Sequence, residues 1–81
     1  MNTVHSLAPG QQGVVKGLVA PTDQPEWAQH LADLGFVTGE VVTLLRRGLL
    51  GGDPLVVRVG LSKYALRGAE ARCVHIEALP R

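Results

Sequence analysis

The chain has 81 residues, enough for one domain spanning 1–81 and too few for two. Hydrophobic residues make up 46% and charged residues 19%, a balance that supports a packed core and excludes a disordered chain. Eight Lys and Arg against seven Asp and Glu leave a net charge of +1, which argues against a nucleic-acid partner.

A domain this small buries only about 60% of the surface its unfolded chain exposes, so a homodimer would add to a thin core. The single cysteine, Cys73, excludes an intramolecular disulfide and fits a reducing, cytoplasmic location. Apolar runs such as Val41 to Leu45 fall far short of the ~20 residues of a membrane span, so direct membrane insertion is not expected. Because Trp27, Phe36 and Tyr64 are the only aromatic residues, the core must be aliphatic.

Residues 1–10 read as a mobile end, in which His5 carries little information. Gly13 to Ala20 reads as a first strand, with Val15 and Val19 on one face and Gly17 allowing a bulge; Pro21 ends it. The period then changes. Trp27, Leu31 and Leu34 recur at i, i+4 and i+7, and Asp23 and Glu26 have capping-box spacing. Pro25 suits a first turn and Gly35 a left-handed C-terminal cap, so a helix is predicted over about 24–34, lying across an open edge or end of a β structure.

After Gly39 the strand pattern returns. Val41 to Arg47 and Leu55 to Val59 flank a Gly-rich tip at 48 to 54, a long hairpin with Val42, Leu44, Leu55, Val57 and Val59 facing inward. Gly60 permits a reversal into Ser62 to Arg67, where Tyr64 and Leu66 share a face. A turn at Gly68 to Arg72 leads to a last strand, Cys73 to Leu79, on which Val74, Ile76 and Ala78 oppose Cys73, His75 and Glu77. Five or six short strands and one helix predict a mainly β fold, a small, strongly bent antiparallel barrel.

Four pieces in register resemble one family: Leu31-Ala-Asp-Leu34-Gly35-Phe36-Val-Thr-Gly39 followed by Val41 and Val42; Gly52-Asp53-Pro54-Leu-Val-Val57; Tyr64-Ala-Leu66-Arg67-Gly-Ala-Glu70-Ala71; and Val74 with Ile76. They are similar to the FeoA proteins of bacterial ferrous iron transport, over about Gly13 to Leu79. The resemblance implies an SH3-like barrel, a cytoplasmic location and service to the membrane transporter FeoB through its cytosolic GTP-binding region. On that reading the protein is a non-enzymatic regulatory module that requires no cofactor. Two alternatives are a sensor or carrier of a divalent metal, Fe2+ or Zn2+, and a detached SH3-like domain of an iron-dependent repressor system.

Several motif residues have structural readings of their own. Gly35 and Gly39 suit positive φ at the helix exit and the following turn, and Gly52, Asp53 and Pro54 close the hairpin, Asp53 by accepting from backbone amides. Arg67 and Glu70, three apart, are spaced to pair across a turn, with contact of Arg67 to a partner as the other reading. The partner-binding candidates are Leu49 and Leu50, which near a Gly-rich tip cannot easily reach the core, and the basic rim of Arg46, Arg47 and Arg58. Alternatively the loop folds back over the barrel mouth and the arginines are a solvated face.

For metal, Glu26, His30 and Asp33 fall at i, i+4 and i+7 on an exposed helix flank, where imidazole nitrogen and carboxylate oxygen could meet a divalent ion. Cys73 and His75 would project together from the last strand, but with no third group to orient them they do not make a catalytic pair, and no catalytic residue is assigned. The Gly-rich stretches lack the Lys and Ser or Thr of a phosphate-binding loop, so the chain itself should not hydrolyse GTP.

Overall fold

The computed structural model describes residues 2–80; Met1 and Arg81, the outermost positions of the predicted domain, lie outside the described residues. Those residues form six strands in one antiparallel sheet of order β1-β6-β2-β3-β4-β5. The strands are β1 (Asn2–Thr3), β2 (Gln12–Leu18), β3 (Val41–Gly48), β4 (Gly52–Val59), β5 (Ser62–Leu66) and β6 (Val74–Ala78). A helix, α1 (Glu26–Leu34), joins β2 to β3, and a single turn of helix, α2 (Gly68–Ala71), joins β5 to β6. The predicted mainly β class holds, with six strands and one main helix.

The core is aliphatic around one phenyl ring. Val42 and Leu44 of β3, Leu55, Val57 and Val59 of β4, Leu66 of β5 and Val74 and Ile76 of β6 are all buried, as alternation requires of strands with one wet face. From the helix Leu31 is fully buried, with Trp27 and Leu34 packed against the core. The helix ends in a Schellman motif: Gly35, at φ 115°, donates its N–H to the Ala32 carbonyl, and Phe36 donates to that of Leu31. That reversal turns Phe36 into the core beside Leu31 and sets its ring 6.0 Å from Tyr64. The Leu-Gly-Phe segment is therefore a device for aiming one aromatic side chain.

Two bulges adjust the pattern. The register of β2 on β6 shifts between Val15 and Gly17, so Val15 is buried while Val19, predicted on the same face, lies past the strand end and is exposed. On β3 the register shifts between Leu44 and Arg46. Strict alternation would point Arg46 inward after Val42 and Leu44; the extra residue, Leu45, turns Arg46 out to solvent and Arg47 in.

Other expectations need correction. Residues 2–10 are not a loose end: β1 pairs with β6, and Val4 and Leu7 belong to the buried core. Arg47 on the neighbouring hairpin donates through Nη2 to the His5 carbonyl and, at 2.9 Å, to that of Leu7. Further along, Gly10 donates to the Leu44 carbonyl and Leu44 to that of Gln11. The helix begins at Glu26 rather than 24, and the Asp23–Glu26 capping box does not form, because successive turns lead in: Gln24 donates to the Pro21 carbonyl and Trp27 to that of Gln24. Cys73 does not share a face with His75: it precedes β6, is buried, and its Sγ bonds the Ala69 carbonyl at 3.4 Å.

Candidate functional site

Strand register defines an outward face on β3, β4 and β5. Thr43, Arg58 and Lys63 stand in one cross-strand row, and Arg46, Val56 and Ala65 in the next. Arg46, Arg58, Lys63 and Ala65 are exposed and Val56 half-buried. Beyond the second row the hairpin narrows to its tip, where Gly48 pairs with Gly52 and Leu50 bridges to Asp53. Gly48 must lack a side chain, since a Cβ there would lie 2.0 Å from the Asp53 carbonyl oxygen.

Leu49 is 100% and Leu50 87% exposed, so the tip does not fold back over the barrel mouth. The two leucines project into solvent as an adjacent apolar pair, a feature found at contact surfaces. Leu50, Asp53, Pro54, Ala65 and Arg67 line a groove beside the tip. Of the proposed basic rim, Arg46 and Arg58 are on this face. Arg47 is not, because its guanidinium is spent on the carbonyls of residues 5 and 7.

The structural-motif residues take up distinct places around the hairpin and α2. Gly39 and Gly52 take φ of 94° and 84°, conformations that disfavour any side chain. The Asp53 carboxylate does not bond within its own turn; its Oδ1 accepts the N–H of Gly68 at 2.6 Å, tying the hairpin tip to α2. A Cβ on Gly68 would sit 3.1 Å from that oxygen, so the pairing explains both ends of the motif. Arg67 and Glu70 are linked without an ion pair: Glu70 Oε1 accepts the backbone N–H of Arg67 at 2.8 Å and leaves the Arg67 side chain exposed. Among the described residues the ion pair is Lys16–Glu77, at 3.4 Å.

The metal candidates share one depression without forming a tight cluster among the described residues. Glu26, His30 and Asp33 line a shallow depression with Trp27, Gln29, Arg67 and Glu70. All three are exposed, and Asp33 accepts a hydrogen bond from Gln29 Nε2 at 2.8 Å. Among the described residues no three His, Cys, Asp or Glu side chains gather closely enough to hold an ion. Burial and the nearby Glu70 raise the Cys73 pKa, so its reactive thiolate is scarce.

His5 is informative after all. Arg72 Nη2 lies 3.2 Å from His5 Nε2, which fits a neutral ring accepting from the guanidinium. Burial, Arg72 and Arg47 lower the His5 pKa, with Asp53 opposing. An unfolded chain then takes up this proton before the folded one does, so the contribution of His5 is complete above the ordinary histidine pKa and is lost as pH falls below it. Melting the protein between about pH 7.5 and about pH 5 should show a larger drop in midpoint for the natural sequence than for His5→Gln, and equal drops would refute this.

Comparison with known proteins places this geometry. The model of the FeoA domain matches residues 2–78. The FeoA of Stenotrophomonas maltophilia, a prokaryotic SH3 domain protein solved with zinc, is 35% identical at a TM-score of 0.86, covering 95% of this chain and 91% of that one. FeoA from Chlorobium tepidum is 26% identical at a TM-score of 0.82, covering 98% and 71%. A manganese-dependent transcriptional repressor, 15% identical at a TM-score of 0.79, covers 96% of this chain and 41% of its own, a likeness of fold alone. No curated protein matches the sequence. No helix among the described residues is long and apolar enough to cross a membrane. With an SH3-like sheet, the Leu-Gly-Phe reversal and the Asp53–Gly68 tie all in place, this chain belongs to the FeoA family.

Proposed function

We propose that this chain is a non-enzymatic accessory module of ferrous iron uptake, working in the cytoplasm by docking on the cytosolic GTP-binding region of a FeoB-type transporter and biasing its nucleotide cycle. The observation that carries this reading is the hairpin tip, where Leu49 and Leu50 are presented to solvent on a rigid sheet. Family membership supplies the setting, since the Stenotrophomonas maltophilia relative is named for bacterial ferrous iron transport. The alternative, a divalent-metal sensor or carrier, rests on the zinc bound by that relative rather than on a three-ligand cluster among the described residues.

Calorimetric titration against the transporter's GTP-binding region, and against the intact transporter, in both nucleotide states tests the proposal. Saturable binding is expected, weakened at least about tenfold by Leu49→Ser with Leu50→Ser, a loss of about 1.4 kcal/mol. Absence of binding to either form in either nucleotide state refutes it.

A further inference from the structure

The outward face of β3, β4 and β5 carries a cost that folding does not require. Arg58 and Lys63 are direct cross-strand partners, at a site where like charges destabilise the pair. Arg46 joins them one row away, facing outward only because of the bulge at Leu45. None of the three has an ion-pair partner among the described residues; Glu40 shares the depression beside Arg58 without pairing with it. Three exposed cations thus crowd one face of a chain whose net charge is only +1.

Next to them, Val56 and Ala65 continue toward a mostly apolar groove of about 460 Å³ lined by Leu50, Pro54 and Ala65, with Arg67 and Asp53 at its wall, the Asp53 carboxylate accepting the N–H of Gly68. A ligand fitting both parts presents carboxylates to the cations and an aliphatic side chain to the groove. Nucleic acid fits poorly, because no aromatic side chain lies on this face for bases to stack on: Tyr64 points the other way, onto Phe36.

We infer that this face binds an acidic, leucine-type segment of a protein partner, with carboxylates against Arg46, Arg58 and Lys63 and one aliphatic side chain in the Leu50–Pro54–Ala65 groove. The inference deepens the docking proposal and rests on it for the partner's identity, but its chemistry is testable alone. The anion relieves the Arg58–Lys63 repulsion only when bound, so complementary charge serves recognition and on-rate more than fold.

The test is amide chemical-shift mapping of the labelled full chain with three probes: a peptide alternating Glu and Leu, its Lys and Leu counterpart, and an oligothymidylate. The Glu peptide should shift Arg46, Val56, Arg58 and Lys63 saturably, and weaken roughly tenfold between about 50 mM and about 300 mM salt. Arg58→Glu places an opposite charge across from Lys63, so its melting midpoint should stay level or rise while Glu-peptide binding falls at least about tenfold. Shifts elsewhere, no shifts, equal shifts from the Lys peptide, or tighter binding of the oligonucleotide would each overturn the inference. In parallel, the transporter's GTP-binding region is titrated with natural and Arg58→Glu protein. Equal binding of both overturns this inference and leaves the docking proposal standing; a Glu-peptide response with no transporter binding does the reverse.

Discussion

Phe36→Ala is expected to cost about 3–5 kcal/mol, the usual range for deleting a fully buried phenyl ring, and to leave much of the protein unfolded at physiological temperature. Phe36 has 0% exposure and sits at the end of the helix with its ring against Tyr64 of β5. An 81-residue domain at about 0.05–0.15 kcal/mol per residue has only about 4–12 kcal/mol in total, so this one change consumes a large share. The cavity cannot collapse easily, because the Schellman reversal at Gly35 fixes the backbone from which the ring projects. Urea denaturation monitored by Trp27 fluorescence measures the loss. The neighbouring Val37→Ala, at an exposed site, should change stability by under about 0.5 kcal/mol. Similar midpoints for the two variants would show that Phe36 does not organise the core.

The second large effect concerns Arg47. Arg47→Ala should cost about 2–3 kcal/mol and release the amides of residues 4–7 to rapid hydrogen exchange. Its guanidinium satisfies the carbonyls of His5 and Leu7, which belong to a segment whose Val4 and Leu7 fill the core. Charge-assisted bonds to part-buried carbonyls are worth more than ordinary ones, and truncating the donor leaves both acceptors short. Arg46→Ala, one residue away but outward, should be nearly neutral to stability. If the two substitutions cost the same, the bulge does not separate a structural arginine from a surface one.

Much of the sheet was legible because its information is local. Val42, Leu44, Leu55, Val57 and Val59 alternate as a half-wet hairpin must, and Gly35 and Gly39 mark reversals that only positive φ permits. What escaped is information held by pairs of distant residues. Val4 and Leu7 are single apolar residues in a polar stretch, without period, so nothing local signals that they are buried. Their anchor, Arg47, lies 40 positions from Leu7. Asp53 and Gly68, 15 positions apart, likewise read as two separate turns until the fold joins them. The Leu45 bulge decides which of two adjacent arginines meets solvent, and a period of two cannot announce its own interruption.

On the candidate surface, the exposure of Leu49 and Leu50 followed from a Gly-rich tip with no strand to carry them inward. Lys63 was passed over because strand propensity does not reveal which residue lies opposite. Only the register on β4 shows it facing Arg58.

The sheet order has a consequence for folding. β6 comes late in the chain yet lies between the two earliest strands, so β1 and β2 have no common neighbour until residues 74 to 78 have been made. The β3–β5 meander pairs strands that are close in sequence and needs only short loop closures, whereas β1 and β2 must each find β6 across most of the chain, and Val4 and Leu7 stay uncovered until they do. The sheet thus joins a half built from local contacts to a half closed by distant ones, and the seam between them is where a partly folded chain is most open to proteases and wrong pairing.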